Sequence, residues 1–165
     1  MKVRSLLAAA LFVTTTAFAQ TEKKIDTKKT QVPVFNQVNI DVPIEVVLVE
    51  GNDPGVIYLV GDARLFDDLN LDVKNEELRI SAKKIMNYKS KLTVEVHVKN
   101  LEKLTVQKEA LVFSGNTLQS KKVNVYIAGG SKASLVSTGL IFIYSEDESE
   151  LVFLRKTAGV TVENR

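Results

Sequence analysis

The sequence predicts an all-β fold, and three observations lead to that prediction. Apolar and polar residues alternate along several stretches, as they do in strands with one buried face. Glycine and Asn, Asp or Glu turn residues separate these stretches at intervals of about 8–12 residues, the spacing of a β-sandwich or barrel, but it also fits a solenoid. Helical periodicity is almost absent.

The N-terminal segment is typical of an exported protein. Two basic residues precede an apolar run at residues 6–13, and the segment ends in small residues up to Ala19. These features define a secretory signal peptide, so we predict that residues 1–19 are removed by a cut before Gln20. The apolar run is shorter than the roughly 20 residues of a membrane-spanning helix, so no transmembrane segment is expected after removal of the leader. The predicted location is the periplasm, the cell surface or the medium.

Composition narrows the functional classes. The chain has 22 basic and 20 acidic residues, and the excess, Lys2 and Arg4, lies in the predicted leader. A mature chain without net charge offers no overall field to attract nucleic acid, so nucleic-acid binding is not expected. The chain has no cysteine, which excludes disulfides, thiol nucleophiles and thiolate metal ligands, and also a lipid anchor on cysteine.

The mature chain is predicted to be a short arm followed by one domain. Residues 20–31 are polar and rich in lysine, which predicts a flexible arm. From residue 32 onward β-branched and aromatic residues dominate, and residues 32–165 have a length that suits a single domain. Near the middle of the N-terminal half, residues 63–69 form either a short helical turn capped by Asp62 or a loop.

Several strands are predicted individually. Residues 69–74 and 77–82 alternate in polarity and are joined by a short turn at Asn75 and Glu76, which indicates paired strands. Further strands are predicted at residues 94–98, 101–106, 110–113, 123–127, 133–137, 141–144, 151–154 and 160–162. Four runs are apolar on both faces, at residues 46–49, 56–60, 141–144 and 151–154. Such strands are either covered on both sides or form a surface where apolar residues serve another purpose.

Three blocks of the sequence resemble the bacterial family called putative auto-transporter adhesin, head GIN domain. The blocks are residues 35–51, which begin Phe-Asn-Gln-Val-Asn-Ile-Asp-Val, residues 56–80, which include Leu-Val-Gly-Asp, and residues 92–104. The resemblance implies a right-handed parallel β-helix with a more irregular β-rich N-terminal part, and an exported or cell-surface location. It implies no established catalytic residues. A β-sandwich is the alternative fold.

The candidate catalytic and metal-binding groups have simpler explanations. His97 is the only histidine and lies on the polar face of its strand, so we predict a surface side chain. The acidic run at residues 146–150 lacks EF-hand spacing, and a solvated turn is expected. Asp62, Asp67 and Asp68 are expected in turn and capping roles, and the glycines at 129 and 130 at a corner. No catalytic, cofactor-binding or metal-ligating residue is predicted.

Aromatic residues form the candidate contact surface. Tyr126, Phe142 and Tyr144, together with Phe153, would form a strip on one face if neighbouring strands stack in register. We predict a non-enzymatic protein of the cell envelope that acts by surface contact with a glycan or another envelope protein. Two alternatives are open: a polysaccharide-acting enzyme that uses acidic turn residues, and a structural component that assembles through an open β-helix end.

Overall fold

The computed structural model describes residues 25–86, 92–146 and 150–155. The predicted signal peptide with its cut between Ala19 and Gln20, residues 147–149 of the acidic run and the strand predicted at residues 160–162 lie outside the described residues. The described elements are β1 (Asp26–Gln31), β2 (Gln37–Asp41), β3 (Glu45–Glu50), β4 (Val56–Gly61), a 3-10 helix (Ala63–Asp68), β5 (Leu69–Lys74), β6 (Glu77–Ala82), β7 (Leu92–Val98), β8 (Lys103–Gln107), β9 (Leu111–Ser114), β10 (Lys122–Ala128), β11 (Lys132–Ser137), β12 (Leu140–Glu146) and β13 (Glu150–Arg155).

The strands form two mixed sheets. The seven-stranded sheet has the order β1-β4-β7-β3-β9-β11-β13, and the six-stranded sheet has the order β12-β10-β8-β2-β6-β5. From β8 onward, consecutive strands alternate between the two sheets and pair in parallel with neighbours of their own sheet. The strands β1, β4 and β7 pair antiparallel, as do β5 and β6.

The predicted right-handed parallel β-helix is wrong, and the sandwich alternative describes the molecule better. A β-helix requires the chain to coil in one direction, with every strand parallel to its neighbours in the stack. Here antiparallel pairs occupy one end of each sheet. The strands gather into two mixed sheets around a shared interior, which is the arrangement of a sandwich.

One hydrophobic core lies between the sheets. Alternate residues of each strand point inward, so Leu48 and Val94 of the seven-stranded sheet join the same buried cluster as Leu104 and Val125 of the six-stranded sheet. These four side chains are fully buried. Burial of such aliphatic side chains is the main stabilising contribution, at about 25 cal/mol per Å² removed from water. Because the core occupies both inner faces, the outer faces are left for other contacts.

Two local predictions can be compared directly with the structure. Strands β5 and β6 form an antiparallel hairpin, and Asn75 and Glu76 at its turn have φ angles of 50° and 61°. Positive φ at both central residues is the type I′ geometry that matches strand twist. The segment after Asp62 is a helical turn rather than a loop, and the Asp62 carboxylate accepts a hydrogen bond from the Arg64 amide at 3.1 Å.

The end of the predicted arm is ordered in the structure. Residues 26–31, which the sequence places in a flexible polar arm, form β1 and pair antiparallel with β4. Its side chains are mostly exposed, so backbone hydrogen bonding to β4 holds the strand in place without burial of side chains. The polar, lysine-rich sequence of this segment therefore gave no indication that it forms an edge strand.

Candidate binding surface

The candidate surface is the outer face of the six-stranded sheet, at the end formed by β8, β10 and β12. Val123, Val125 and Ile127 of β10 are buried, so the residues between them face outward. The parallel register places Tyr126 beside Tyr144 of β12 and beside Thr105 of β8. The same register places Phe142 beside Asn124. The three aromatic residues predicted from the sequence therefore share one face.

Tyr126 and Tyr144 form a stacked pair. Their ring centroids are 4.6 Å apart and their planes differ by 11°. This separation is close to the spacing of neighbouring strands, about 4.8 Å. The ring planes therefore stand roughly perpendicular to the line that runs from one strand to the next. On the inner side of the pair, Lys103 Nζ lies 5.5 Å from the Tyr126 centroid, within the range of a cation–π contact.

The other flat face of Tyr144 points toward the sheet edge. Strand β12 is the edge strand of the six-stranded sheet as far as the described residues extend. Phe142 lies two residues earlier on the same strand, and Lys122 Nζ sits 4.5 Å from its ring centroid. On the side that faces β10, Tyr144 therefore contacts the Tyr126 ring and Phe142 contacts the Lys122 ammonium group. The opposite faces of both rings are directed toward the sheet edge.

A shallow cavity adjoins the stacked pair. It has a volume of about 390 Å³ and is lined by the two tyrosines together with polar side chains of β8, among them Lys103, Thr105 and Gln107. Tyr126 is 39% exposed, which is high for a residue on a central strand. Aromatic faces combined with a few hydrogen-bonding groups are typical of ligand sites. Phe153, the fourth aromatic residue of the predicted strip, has a side chain outside the described part of the chain.

The same sheet also carries a cluster of charged side chains that the sequence did not predict. The Asp41 carboxylate lies 2.8 Å from Arg79 Nη2 and 2.7 Å from Lys108 Nζ. The hydrogen bond from Lys108, with a further one from Arg79, holds the pKa of Asp41 below its ordinary value of 3.8 although burial acts in the opposite direction. This cluster borders a groove of about 740 Å³ that is also lined by Val42 and Met86.

The acidic residues considered for catalysis are each held by a cation. Asp62 pairs with Arg64 at 2.6 Å, Asp67 with Lys28 at 3.5 Å, and Asp68 with Lys84 at 2.9 Å. These contacts agree with turn and capping roles. Within residues 25–86, 92–146 and 150–155, no three His, Asp or Glu side chains are grouped closely enough to hold a metal ion.

The remaining candidates have local contacts. His97 Nε2 lies 2.8 Å from Glu95 Oε1, and its ring centroid is 5.5 Å from that of Tyr58. Both partners lie on the outer face of the seven-stranded sheet. Gly129 and Gly130 have φ angles of 65° and 67° in the turn between β10 and β11, so they form the predicted corner. Among the described residues, no helix has the length and apolar character needed to cross a membrane.

Comparison with protein families gives one match. The family model described as putative auto-transporter adhesin, head GIN domain, matches residues 34–146, which is most of the chain and more than the blocks that carry the sequence resemblance. No curated protein matches the chain.

Solved structures show the same fold. A putative adhesin from Parabacteroides distasonis ATCC 8503 aligns with a TM-score of 0.52 and 17% identity, over 86% of this chain and 76% of that one. A putative adhesin from Parabacteroides merdae ATCC 43184 aligns with a TM-score of 0.50 and 14% identity, over 84% of this chain and 95% of that one. At such identities the similarity concerns the fold alone.

Proposed function

The chain belongs to the putative auto-transporter adhesin, head GIN domain, family, and we propose that it is an exported, non-enzymatic cell-envelope protein that binds glycans. The observation that supports this most directly is the exposed stack of Tyr126 and Tyr144 on the outer face of the six-stranded sheet. Core packing gives no reason for aromatic residues on that face. The flat face of a sugar ring packs well against an aromatic ring, and adhesion needs surface contact without turnover.

The position of the rings suggests how the glycan lies. The edge-directed faces of Phe142 and Tyr144 are separated by two residues of a strand, about 7 Å. A saccharide chain running along the β12 edge would place successive sugar rings against these faces. The site is therefore open and elongated, as expected for a polymer.

The charges near the rings favour an acidic glycan. Lys103 and Lys122 each lie against one of the aromatic rings, at 5.5 Å and 4.5 Å from the centroids. Lys122 lies beside a ring that the saccharide would contact, whereas Lys103 lies beyond the tyrosine pair from the β12 edge and is also 3.9 Å from the Glu77 carboxylate. A polymer that carries uronate or another anionic group would gain attraction that a neutral polymer lacks. We therefore propose acidic envelope polysaccharide as the ligand class.

The test is a binding screen against neutral and uronate-bearing polysaccharides, with product release measured in the same wells. Tyr126→Ala and Tyr144→Ala should each weaken binding by about two- to tenfold, since an aromatic contact contributes roughly 0.5–1.5 kcal/mol. Tyr58→Ala is the control, because that ring lies on the seven-stranded sheet. Equal binding by all three variants would contradict the proposed site, and release of product would contradict a non-enzymatic role.

A further inference from the structure

A separate cavity lies where β8 and β10 begin. It has a volume of about 410 Å³, and its lining includes Asn100, Ser120, Lys121, Lys122 and Asn124. These residues come from the segments that lead into the two strands and from the first residues of β10. The cavity shares no lining residue with the one that adjoins the stacked tyrosines. It is therefore a distinct feature of the same sheet.

The β12 edge leads to this cavity. Leu140, Phe142 and Tyr144 alternate with the buried Ile141 and the inward-facing residue 143, so all three face outward along the edge. Leu140 is 41% exposed and pairs in register with Lys122. Lys122 lines the cavity, and its Nζ lies 4.5 Å from the Phe142 ring centroid. A saccharide that follows the edge from Tyr144 past Phe142 therefore comes next to Lys122 and the cavity.

The lining of the cavity has an excess of positive charge. Lys121 and Lys122 are adjacent in sequence, and Glu102 is the one acidic residue among the lining residues. Within the part of the chain that the structure describes, neither lysine forms an ion pair with a carboxylate. Lys84 and Lys108, in contrast, are each paired with an aspartate. An anion at the cavity would therefore meet two ammonium groups without displacing a carboxylate from either.

A hydroxyl group lies deeper in the cavity than the two lysines. Ser120 is 2% exposed, whereas Lys121 and Lys122 are both exposed. Among the described residues, the Ser120 Oγ has no hydrogen-bond partner. A buried hydroxyl without a partner is destabilising until a ligand or a water molecule satisfies it. The cavity therefore combines a hydroxyl donor with two ammonium groups, which are groups that bind a carboxylate.

We propose that this cavity binds the carboxylate of a uronate residue, an inference that rests on the glycan-binding function proposed above. Lys121 and Lys122 supply the charge and Ser120 donates a hydrogen bond. Phe142 and Tyr144 hold the neighbouring sugar rings along the β12 edge. In this arrangement the aromatic rings recognise a saccharide chain, and the cavity distinguishes an acidic chain from a neutral one.

The test compares an oligouronate with its carboxyl-reduced form, in which each carboxylate is replaced by a hydroxymethyl group. In isothermal titration calorimetry the wild-type chain should bind the oligouronate about fivefold more tightly, because exposed ion pairs each contribute a modest attraction. The double variant Lys121→Gln, Lys122→Gln should lose this preference and bind both forms equally. Ser120→Ala should reduce the preference without lowering the melting temperature, because its hydroxyl has no partner among the described residues.

The matched control is the double variant Lys83→Gln, Lys84→Gln. These two lysines are also adjacent and follow the end of β6, where they line the larger groove at the opposite end of the sheet. The control removes the same net charge, so it should keep the preference for the oligouronate. Circular dichroism verifies that all variants are folded.

The possible failures of this inference and of the proposed function differ. Equal binding of both oligosaccharides by the wild-type chain, a preference that survives in the Lys121 and Lys122 variant, or equal losses in that variant and the control would overturn the carboxylate site and leave glycan binding standing. An unchanged preference in Ser120→Ala would overturn the placement of the carboxylate in the cavity. If the wild-type chain binds neither oligosaccharide, the proposed function itself is contradicted and the carboxylate site with it. Tyr144→Ala should weaken binding of both forms by the same factor, which separates the contribution of the rings from that of the cavity.

Discussion

The corner between β11 and β12 depends on the absence of a side chain at Gly139. A Cβ atom built there would lie 1.9 Å from the Ser120 carbonyl oxygen and 2.6 Å from the Lys121 carbonyl oxygen. Both are backbone atoms, so no side-chain rotation can relieve the contact. Replacement by alanine therefore forces two segments of backbone apart.

The cost can be estimated from two contributions. Overpacking a tightly packed site costs about 1–3 kcal/mol. Separation of the segments also breaks the hydrogen bond from the Leu140 amide to the Lys121 carbonyl, at 3.0 Å, which contributes about 1 kcal/mol. We expect Gly139→Ala to lower the free energy of unfolding by about 3 kcal/mol. For a chain of this size that is a decrease of about 6–12 °C in melting temperature.

The matched control is Gly51→Ala. No atom lies within 4 Å of a Cβ built at Gly51, and its backbone is outside the left-handed region. Alanine there should be neutral or stabilise the protein by up to about 1 kcal/mol, because it restricts the unfolded chain. Thermal and urea unfolding, followed by circular dichroism, measure both variants. If Gly139→Ala melts within about 2 °C of Gly51→Ala, the contact with the Ser120 carbonyl has no energetic effect and the reasoning is wrong.

Two further predictions follow from other contacts. Asp41→Asn should lower the free energy of unfolding at pH 7 by about 1 kcal/mol. Because the pKa of Asp41 is lowered in the folded state, the difference between the variant and the wild type should persist down to pH 3.8 and disappear as the pH falls further. Urea titrations at a series of pH values measure this difference. Asn116 accepts from the Glu50 amide at 2.8 Å and donates to the Glu50 carbonyl at 2.7 Å, so Asn116→Ala should lower the free energy of unfolding by about 2 kcal/mol in urea titrations. Asn116→Asp should cost at least as much, because it keeps the acceptor but sets a second oxygen against the Glu50 carbonyl.

Periodicity in the sequence located the strands because it depends only on neighbouring residues. The prediction at residues 133–137 differs from β11 (Lys132–Ser137) by a single residue, and the turn at Asn75 and Glu76 has the expected position. The same alternation is produced by parallel and antiparallel neighbours. For this reason the sequence could not show that β4 pairs antiparallel with β1 and β7, and the predicted β-helix was wrong.

Other features that the sequence did not predict depend on contacts between residues that are distant in the chain. Arg79 reaches Asp41 from 38 residues away, and no motif in the sequence joins the two. The stack of Tyr126 and Tyr144 was anticipated only on the condition that their strands align, and it depends on the register between β10 and β12. The strand β1 was missed for a different reason. Its stability comes from backbone pairing at a sheet edge, which side-chain polarity does not reveal.

The runs that are apolar on both faces now have an explanation in the two-sheet architecture. In β3, Val46 and Leu48 enter the core, whereas Val47 lies on the outer face; in β12, Ile141 is buried and Phe142 lies outside. The core needs only the inner set, which leaves the outer set available for contacts beyond the folded chain. The two outer faces differ in chemistry: the six-stranded sheet carries the stacked tyrosine pair and lysines, whereas the seven-stranded sheet carries Phe113 and Val152 together with the contact between His97 and Glu95. The proposed glycan site therefore uses one of the two sets of outward-facing side chains, the set on the six-stranded sheet.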